Sequence, residues 1–228
     1  MSYAVAAAAP PTLAVAASDA RFPVHRIYCI GRNYAEHAKE MGAEPSRSQP
    51  MFFMKPADAI VTDGADVAYP SATRDLHHEV EMIVALANGG RDIPIDRALD
   101  CVFGYGVGLD LTRRDLQAAA KANGHPWDVA KGFDQSAPVS AINPVAAIGH
   151  PAKGALTLSV NGDLRQNADI GQMIFGVADI IHALSKLWTL APGDLIFTGT
   201  PAGVAALQRG DRFRAELEGV AVLESRIA

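Results

Sequence analysis

The sequence predicts a mainly β protein with a few helices. Strand-like runs are short and numerous, turn signals separate many of them, and apolar residues recur at helical spacing in only a few places. The predicted strands cover residues 25–30, 51–54, 59–61, 80–86, 102–109, 156–160, 195–198, 213–217 and 220–227. This order lacks the regular alternation of strand and helix that a dinucleotide-binding fold requires, so we exclude that class.

Turn chemistry supports the strand assignments. Asn161-Gly162 is a strong hairpin signal, because a type I′ turn needs positive φ at both central residues. Residues 192–194 and 210–211 are further turn signals. Gly104, Gly106 and Gly108 alternate along the strand at 102–109, which predicts that another backbone or a ligand approaches one of its faces closely.

Three helices are expected. The first covers residues 33–41, with Asn33 as its N-cap and Gly42 just after its end. The second opens at residues 112–115, which resemble a capping box with Asp in place of Glu, and runs to about residue 122. The third covers residues 174–187, where apolar side chains recur with helical spacing.

Length and composition indicate a single domain, which we place at residues 22–228, after an N-terminal strand and linker at residues 1–21. The net charge of −5, without a Lys/Arg run, argues against nucleic acid and anionic membranes as partners. The alanine-rich start has no basic residue before Arg21, so we expect a cytoplasmic protein rather than an exported one. Cys29 and Cys101 are expected to be reduced core thiols.

Three acidic residues are the strongest chemical signal. Glu79 and Glu81 lie two apart in a run, residues 77–86, that is expected to be one strand, so both carboxylates face the same way. Asp110 ends the next apolar segment. Like charges held together are costly without a cation or a proton, and three carboxylates suit Mg²⁺, Mn²⁺ or Ca²⁺. The alternative is a strand edge whose charges face water.

His77 lies on the same predicted strand face, which leaves two further interpretations. A histidine with carboxylates would suit a non-haem iron site, but that site needs a second histidine. The sequence spacing of the other histidines does not indicate which of them would be that ligand. Orientation of the carboxylates by His77 or His78 is the more economical interpretation.

Other residues are candidates for catalysis and binding. His37 and Glu40 share a helix face, and a carboxylate beside an imidazole makes a general base; a solvated, incidental pair is the alternative. Lys131 stands in an apolar setting where it could stabilise an oxyanion, or else extend along the surface into water. Gln117 could donate a hydrogen bond to a ligand or be an exposed helix residue. Thr200 could contact a ligand or be part of a turn without a binding role.

Seven segments together resemble the fumarylacetoacetate hydrolase family, in the family's order over residues 22–227. They resemble most its short, single-domain branch of acylpyruvate hydrolases, fumarylpyruvate hydrolases and oxaloacetate decarboxylases or tautomerases. The segments are residues 31–37, 53–56, 76–81, 108–115, 130–134, 160–162 and 198–204.

The resemblance implies a mixed β-sandwich roll, usually a homodimer, with Mg²⁺ or Mn²⁺ in a cleft. Carried over by motif, the metal ligands are Glu79, Glu81 and Asp110. The water-activating pair is His37 and Glu40. The resemblance further implies that Lys131 and Gln117 bind the substrate's oxyanion and that Thr200 contacts its carboxylate. Two more residues would line the cleft, Arg32 and Lys55.

The resemblance also implies a reaction. The expected activity is metal-dependent cleavage of the C–C bond of a 2,4-diketo acid, an acylpyruvate such as fumarylpyruvate, to pyruvate and a carboxylic acid. An oxaloacetate decarboxylase or tautomerase would use the same metal and the same enolate. A non-catalytic β module that uses the ion for stability is a third hypothesis.

Overall fold

The computed structural model describes residues 4–6, 8–40 and 49–228 of the chain. Within those ranges the strands are β1 (Thr12–Ala14), β2 (Arg21–Pro23), β3 (Ile27–Gly31), β4 (Met51–Lys55), β5 (Ile60–Val61), β6 (Leu76–His77), β7 (Val80–Leu86), β8 (Val102–Leu109), β9 (Thr112–Arg113), β10 (Ala137–Pro138), β11 (Asn143–Pro144), β12 (Ala155–Val160), β13 (Asp163–Asp169), β14 (Leu195–Phe197), β15 (Ala206–Leu207), β16 (Arg212–Leu217) and β17 (Ala221–Arg226). The α-helices there are α1 (Ala35–Glu40), α2 (Arg114–Ala122), α3 (Asp128–Lys131), α4 (Val145–Ile148) and α5 (Val177–Leu187).

A six-stranded sheet in the order β11-β8-β7-β14-β3-β4 forms the centre of the fold. The sheet is mixed, because β14 pairs with β3 in parallel whereas the other neighbours pair antiparallel. Along β7, side chains alternate between the sheet's two faces: Val80 and Met82 belong to one apolar core, and Ile83 belongs to another. Glu81 lies on the same face as Ile83, near the first residue of β7, and lines a cavity there.

Each face of this sheet is covered. The larger core joins it to the four-stranded sheet β13-β12-β16-β17 and to α5, through residues such as Leu158, Phe213 and Ile180. The second core includes Leu13 from the β1–β2 hairpin and Val139. These packed sheets with few helices confirm the predicted mainly β fold.

The nine predicted strands are present, and their boundaries shift by at most two residues. The helices near residues 35, 114 and 177 are present as α1, α2 and α5, each shorter at its start than predicted. Gly42 and Met41, predicted to end the first helix, lie outside the described residues. The expected strand at residues 77–86 is interrupted, because β6 ends at His77 and β7 begins only at Val80.

Both predicted caps are wrong, because tertiary contacts take their side chains. Asn33 joins loops: its Nδ2 donates to the carbonyls of Thr198 at 2.8 Å and Phe175 at 3.0 Å. Asp115 accepts from the Thr73 hydroxyl at 2.5 Å and from the Arg74 amide at 3.2 Å, and residues 112–113 form β9 instead of a capping box.

The described residues contain no helix with both the length and the apolar character needed to cross a membrane.

The glycine alternation in β8 is explained by a second backbone. A Cβ at Gly104 would lie 2.3 Å from the carbonyl oxygen of Asn143 in β11, and one at Gly108 would lie 2.7 Å from the carbonyl oxygen of Pro138. The segment at residues 138–143 therefore lies against β8 only because these positions lack side chains. Of the two predicted causes, close backbone approach is confirmed.

We expect Gly104→Ala to lower the free energy of unfolding by about 1–3 kcal/mol, because the added methyl group overpacks against a carbonyl that cannot move alone. Gly106→Ala in a Ser140→Ala background, compared with Ser140→Ala alone, is the matched control, since without the Ser140 hydroxyl the nearest atoms to the new Cβ are a methyl group of Ile142 at 3.1 Å and a carbonyl oxygen at 3.3 Å. Urea unfolding of both variants measures the difference. Equal destabilisation by the two substitutions would contradict this explanation.

Candidate active site

Strands β7 and β8 bring three carboxylates together. Glu79 directly precedes β7, Glu81 is its second residue and Asp110 follows β8. The antiparallel pairing of these strands is extended by a hydrogen bond from the Asp110 amide to the Glu79 carbonyl, at 2.9 Å. One oxygen from each of the three side chains lies within 4.8 Å of the others, and all three residues are at most 5% exposed. The alternative of a solvated strand edge is therefore wrong.

Two of the carboxylates have basic partners. Lys131 Nζ donates to Glu79 Oε2 at 2.8 Å and to Asp110 Oδ2 at 2.7 Å, and Arg114 donates to Glu79 Oε1 at 2.6 Å. Burial alone would raise the pKa of Glu79, but the charges of Lys131 and Arg114 outweigh it and hold that pKa well below its usual range. Burial would likewise lower the pKa of Lys131, but Asp110 and Glu79 raise it, so this lysine stays charged.

Glu81 is in the opposite situation. Its Oε2 accepts a hydrogen bond from the Gly199 amide at 2.7 Å, and no ion pair to a basic side chain is found for it among the described residues. Burial, followed by repulsion from Asp110 and Glu79, raises the pKa of Glu81 well above its usual value. A carboxylate in this position needs a proton or a further cation.

The cluster fits a divalent ion that prefers oxygen ligands. The donor atoms are all carboxylate oxygens, as Mg²⁺ and Mn²⁺ prefer. Asp110 Oδ1 accepts no hydrogen bond from the part of the chain that the structure describes, although Lys55 Nζ lies 2.8 Å away as an ion pair. That oxygen and the carboxylate of Glu81 are the anionic groups that a cation would satisfy. No histidine joins the cluster within the described residues, so the non-haem iron interpretation lacks support.

His37 and Glu40 form a pair on α1. His37 Nδ1 lies 3.1 Å from Glu40 Oε2, and His37 is only 6% exposed. Because His37 is buried although Glu40 is exposed, a functional pair is favoured over a solvated, incidental contact. Glu40 is itself held in place, since the Gly203 amide donates to both of its carboxylate oxygens at 3.3 Å.

A narrow cavity of about 30 Å³, open to solvent, joins most of the predicted site residues. It is lined by Ile30, Gly31, Arg32, His37, Met51, Phe53, Glu79, Glu81, Asp110, Arg114, Gln117, Lys121, Trp127, Lys131 and Thr200. Two predicted residues stand outside this lining. Glu40 lies behind His37, and Lys55 is buried behind Asp110, where it also donates to the carbonyls of Leu111 and Lys131.

Lys131 lies inside the protein rather than along its surface. It is 2% exposed, so the alternative of a surface lysine is wrong. Gln117 is also buried, and its Oε1 accepts a hydrogen bond from Arg114 at 2.7 Å. The Nε2 group of Gln117 is therefore the donor that remains for a ligand.

Arg114 and Lys121 are site residues that sequence reasoning missed. Arg114 stands three residues before Gln117 on α2, so the two share a helix face, and this spacing was the available signal. Lys121 lies on the last turn of the same helix, with its Nζ 5.2 Å from the centre of the Trp127 ring. Partial burial, followed by the charges of Arg114 and Arg32, lowers the pKa of Lys121.

Neither histidine at residues 77–78 orients a site carboxylate by a hydrogen bond, contrary to expectation. His77 Nε2 pairs with Asp75 at 2.9 Å, and His78 Nδ1 contacts Gln166 at 2.9 Å. Both cysteines are free and buried, as predicted, and burial raises the pKa of the Cys29 thiol. A thiolate nucleophile therefore has no support.

Comparison with known proteins agrees with this geometry. The fumarylpyruvate hydrolase of Pseudomonas aeruginosa, solved with Mn²⁺ and pyruvate, is 46% identical, with a TM-score of 0.97 over 100% of this chain and 99% of that one. A Burkholderia cenocepacia structure suggested to have the same activity is 53% identical, with a TM-score of 0.94 and the same coverage. The rat mitochondrial oxaloacetate tautomerase FAHD1 is 44% identical over 201 residues, 88% of this chain and 90% of that protein.

The family described as fumarylacetoacetate (FAA) hydrolase C-terminal matches residues 26–228, which include every site residue discussed above. The chain therefore belongs to the fumarylacetoacetate hydrolase family.

Proposed function

We propose that this protein is a divalent-metal-dependent hydrolase that cleaves the C–C bond of a 2,4-diketo acid, releasing pyruvate and a carboxylic acid. The observation that carries the proposal is the presence of His37, paired with Glu40 behind it, in the wall of the cavity that holds the carboxylate cluster. Relatives of this chain are enzymes named for hydrolysis and for tautomerisation. Of these two reactions, hydrolysis is the one that needs a general base to activate water, and the His37 imidazole would be that base.

Glu79, Glu81 and Asp110 would hold Mg²⁺ or Mn²⁺. The P. aeruginosa relative contains Mn²⁺, which supports a divalent ion, and Ca²⁺ could take its place. When bound, the ion supplies a Lewis acid that stabilises negative charge on the pyruvate fragment.

His37 would remove a proton from the attacking water. Because Glu40 engages Nδ1, the proton on that nitrogen is fixed and Nε2 keeps its lone pair as the basic atom. The carboxylate of Glu40 also stabilises the imidazolium that forms. Glu40 accepts hydrogen bonds from the Gly203 amide, so the carboxylate that orients the imidazole ring of His37 has a partner of its own.

The remaining polar groups would stabilise and orient the substrate. Lys131, which stays charged, and the free amide donor of Gln117 would stabilise the oxyanion formed when water attacks the acyl carbonyl. Thr200 would donate its hydroxyl to the pyruvate carboxylate. Lys55 would act from behind the cavity, by fixing Asp110.

A second candidate, oxaloacetate decarboxylase or tautomerase, is favoured by the FAHD1 relatives. Decarboxylation would pass through the same pyruvate enolate without an attacking water, and tautomerisation requires only proton transfer. The same cavity would therefore serve, but the His37–Glu40 pair would be less essential for decarboxylation than for hydrolysis.

The charges in the cavity favour an acidic acyl group. Among the described residues, Arg114 and Lys131 are paired with carboxylates of the cluster, whereas no ion pair is found for Arg32 or Lys121. Arg32 also has a φ of 60°, a left-handed conformation that non-glycine residues seldom adopt. With Phe53 and Trp127 as flat apolar walls, these cations would suit an unsaturated acyl chain with a second carboxylate, such as fumarylpyruvate.

The proposal also covers the compartment and the partners. We expect a cytoplasmic homodimer that acts on a small-molecule diketo acid and binds neither nucleic acid nor a membrane. The assignment of residues 1–21 as a segment separate from the catalytic domain also stays a prediction.

We expect purified protein to release pyruvate from acetylpyruvate and fumarylpyruvate with Mg²⁺ or Mn²⁺, and to lose that activity in EDTA. His37→Ala should lower kcat for both diketo acids about 100-fold or more, because the general base is lost. Decarboxylation of oxaloacetate by the same variant should change far less. Coupled detection of pyruvate measures all three reactions.

Thermal melting of His37→Ala, compared with wild type, controls for misfolding. Turnover of oxaloacetate alone would favour the second candidate. Equal loss of all three activities in a folded His37→Ala variant would contradict the proposed division of roles.

We expect Lys121→Gln to raise KM for fumarylpyruvate about tenfold more than KM for acetylpyruvate, because only the first substrate carries a second carboxylate to pair with. Lys121→Arg, which keeps the charge, is the matched control, and Arg32→Gln should show the same selectivity. Steady-state kinetics on both substrates measures the ratio. An equal change for the two substrates would show that this cationic wall does not select the acyl group.

A further inference from the structure

Gln166 is a buried residue that the mechanism above does not use. It is 1% exposed and lies on β13, a polar strand in which it is the only fully buried side chain. The register between β12 and β13 places Gln166 opposite Leu158 and Leu164 opposite Ser159, so Arg165 is an extra residue, a β-bulge, beside it. Bulges of this kind redirect a neighbouring side chain, and here Gln166 points toward the site.

The orientation of the Gln166 amide is fixed by two backbone groups. Its Oε1 accepts from the Val80 amide at 3.1 Å, and its Nε2 donates to the Pro201 carbonyl at 2.8 Å. If the amide were flipped, its NH₂ group would face the Val80 N–H and its oxygen would face the Pro201 carbonyl. Both contacts would be repulsive, so these partners assign which atom is oxygen and which is nitrogen. His78 Nδ1, at 2.9 Å from Oε1, must therefore be a donor as well.

This orientation determines what the Thr200 hydroxyl can do. The second hydrogen of Gln166 Nε2 is donated to Thr200 Oγ1 at 2.9 Å, so Thr200 is the acceptor in that contact. Thr200 lines the cavity, and no acceptor for its own hydroxyl hydrogen is found within the described residues. The hydrogen is left to be donated to a ligand oxygen.

The loop that carries Thr200 is clamped at the same place. A Cβ at Gly203, which has a φ of 98°, would lie 2.4 Å from the carbonyl oxygen of Arg165, so the loop packs directly on the bulge. The Gly203 amide meets Glu40 on the other side. The position of Thr200 is thereby tied to β13 and to the catalytic pair.

We propose that Gln166 is a positioning residue that sets the Thr200 hydroxyl as a hydrogen-bond donor toward the carboxylate of a 2-oxo acid. The inference rests on the proposed function, since that function supplies the carboxylate. Gln166 acts only through Thr200 and touches no substrate atom.

A double-mutant cycle on pyruvate binding tests this, with Kd measured by calorimetry on the Mn²⁺-loaded protein. Gln166→Met should raise Kd about tenfold in the presence of Thr200, the scale of one hydrogen bond to a charged group. In a Thr200→Val background the same substitution should change Kd less than twofold, because no hydroxyl is left to orient. In a Thr200→Ser background, which keeps the hydroxyl, the roughly tenfold effect should return.

Equal effects of Gln166→Met in the Thr200 and Thr200→Val backgrounds would overturn the inference, since a merely structural role predicts additivity. If Gln166→Met does not fold, Gln166→Asn replaces it: the amide keeps its polarity, but the side chain is one methylene shorter and no longer spans the distance between the Val80 amide and Thr200. Wild-type affinity for pyruvate in that variant would also overturn the inference. Failure of the wild-type protein to bind pyruvate would instead refute the proposed function, and this inference with it.

Discussion

The burial of three carboxylates at one end of the β7–β8 pair is the constraint on which the site depends. The antiparallel pairing of Glu79 and Asp110 next to Glu81 places three negative charges in a space from which water is largely excluded. Such an arrangement is costly unless positive charge is brought to it. Lys131, Arg114 and Lys55 bring part of that charge, and Glu81 is left for a divalent ion.

The surrounding architecture follows from this requirement. α3 ends at Lys131 and α2 begins at Arg114, so two short helices deliver their basic residues to the same cluster. The loop after β14 supplies the Gly199 amide to Glu81 and presents Thr200 to the cavity. Glu40 then joins that loop to α1 through Gly203, which links the pair that would activate water to the groups that would hold the substrate.

The parts of the fold that have a local signal could be read from the sequence. Apolar alternation located β7 and β8, and the spacing of Glu79 and Glu81 indicated the cluster before any contact was known. Local reasoning failed where distant groups compete for a side chain, as when Asn33 and Asp115 leave their expected caps for loop contacts. It also missed β13, because a polar edge strand with a single buried residue, Gln166, has no hydrophobic period to detect.

Glu81 is expected to complete a site for a divalent cation, and Mn²⁺ binding to the wild type and to Glu81→Gln tests this most directly. We expect the wild type to bind one Mn²⁺ per chain and its melting temperature to rise with Mn²⁺ concentration. Glu81→Gln should fold, because an amide removes the uncompensated charge, but should bind Mn²⁺ at least about 100-fold more weakly. Unchanged Mn²⁺ affinity in Glu81→Gln, or no binding by the wild type, would contradict the account.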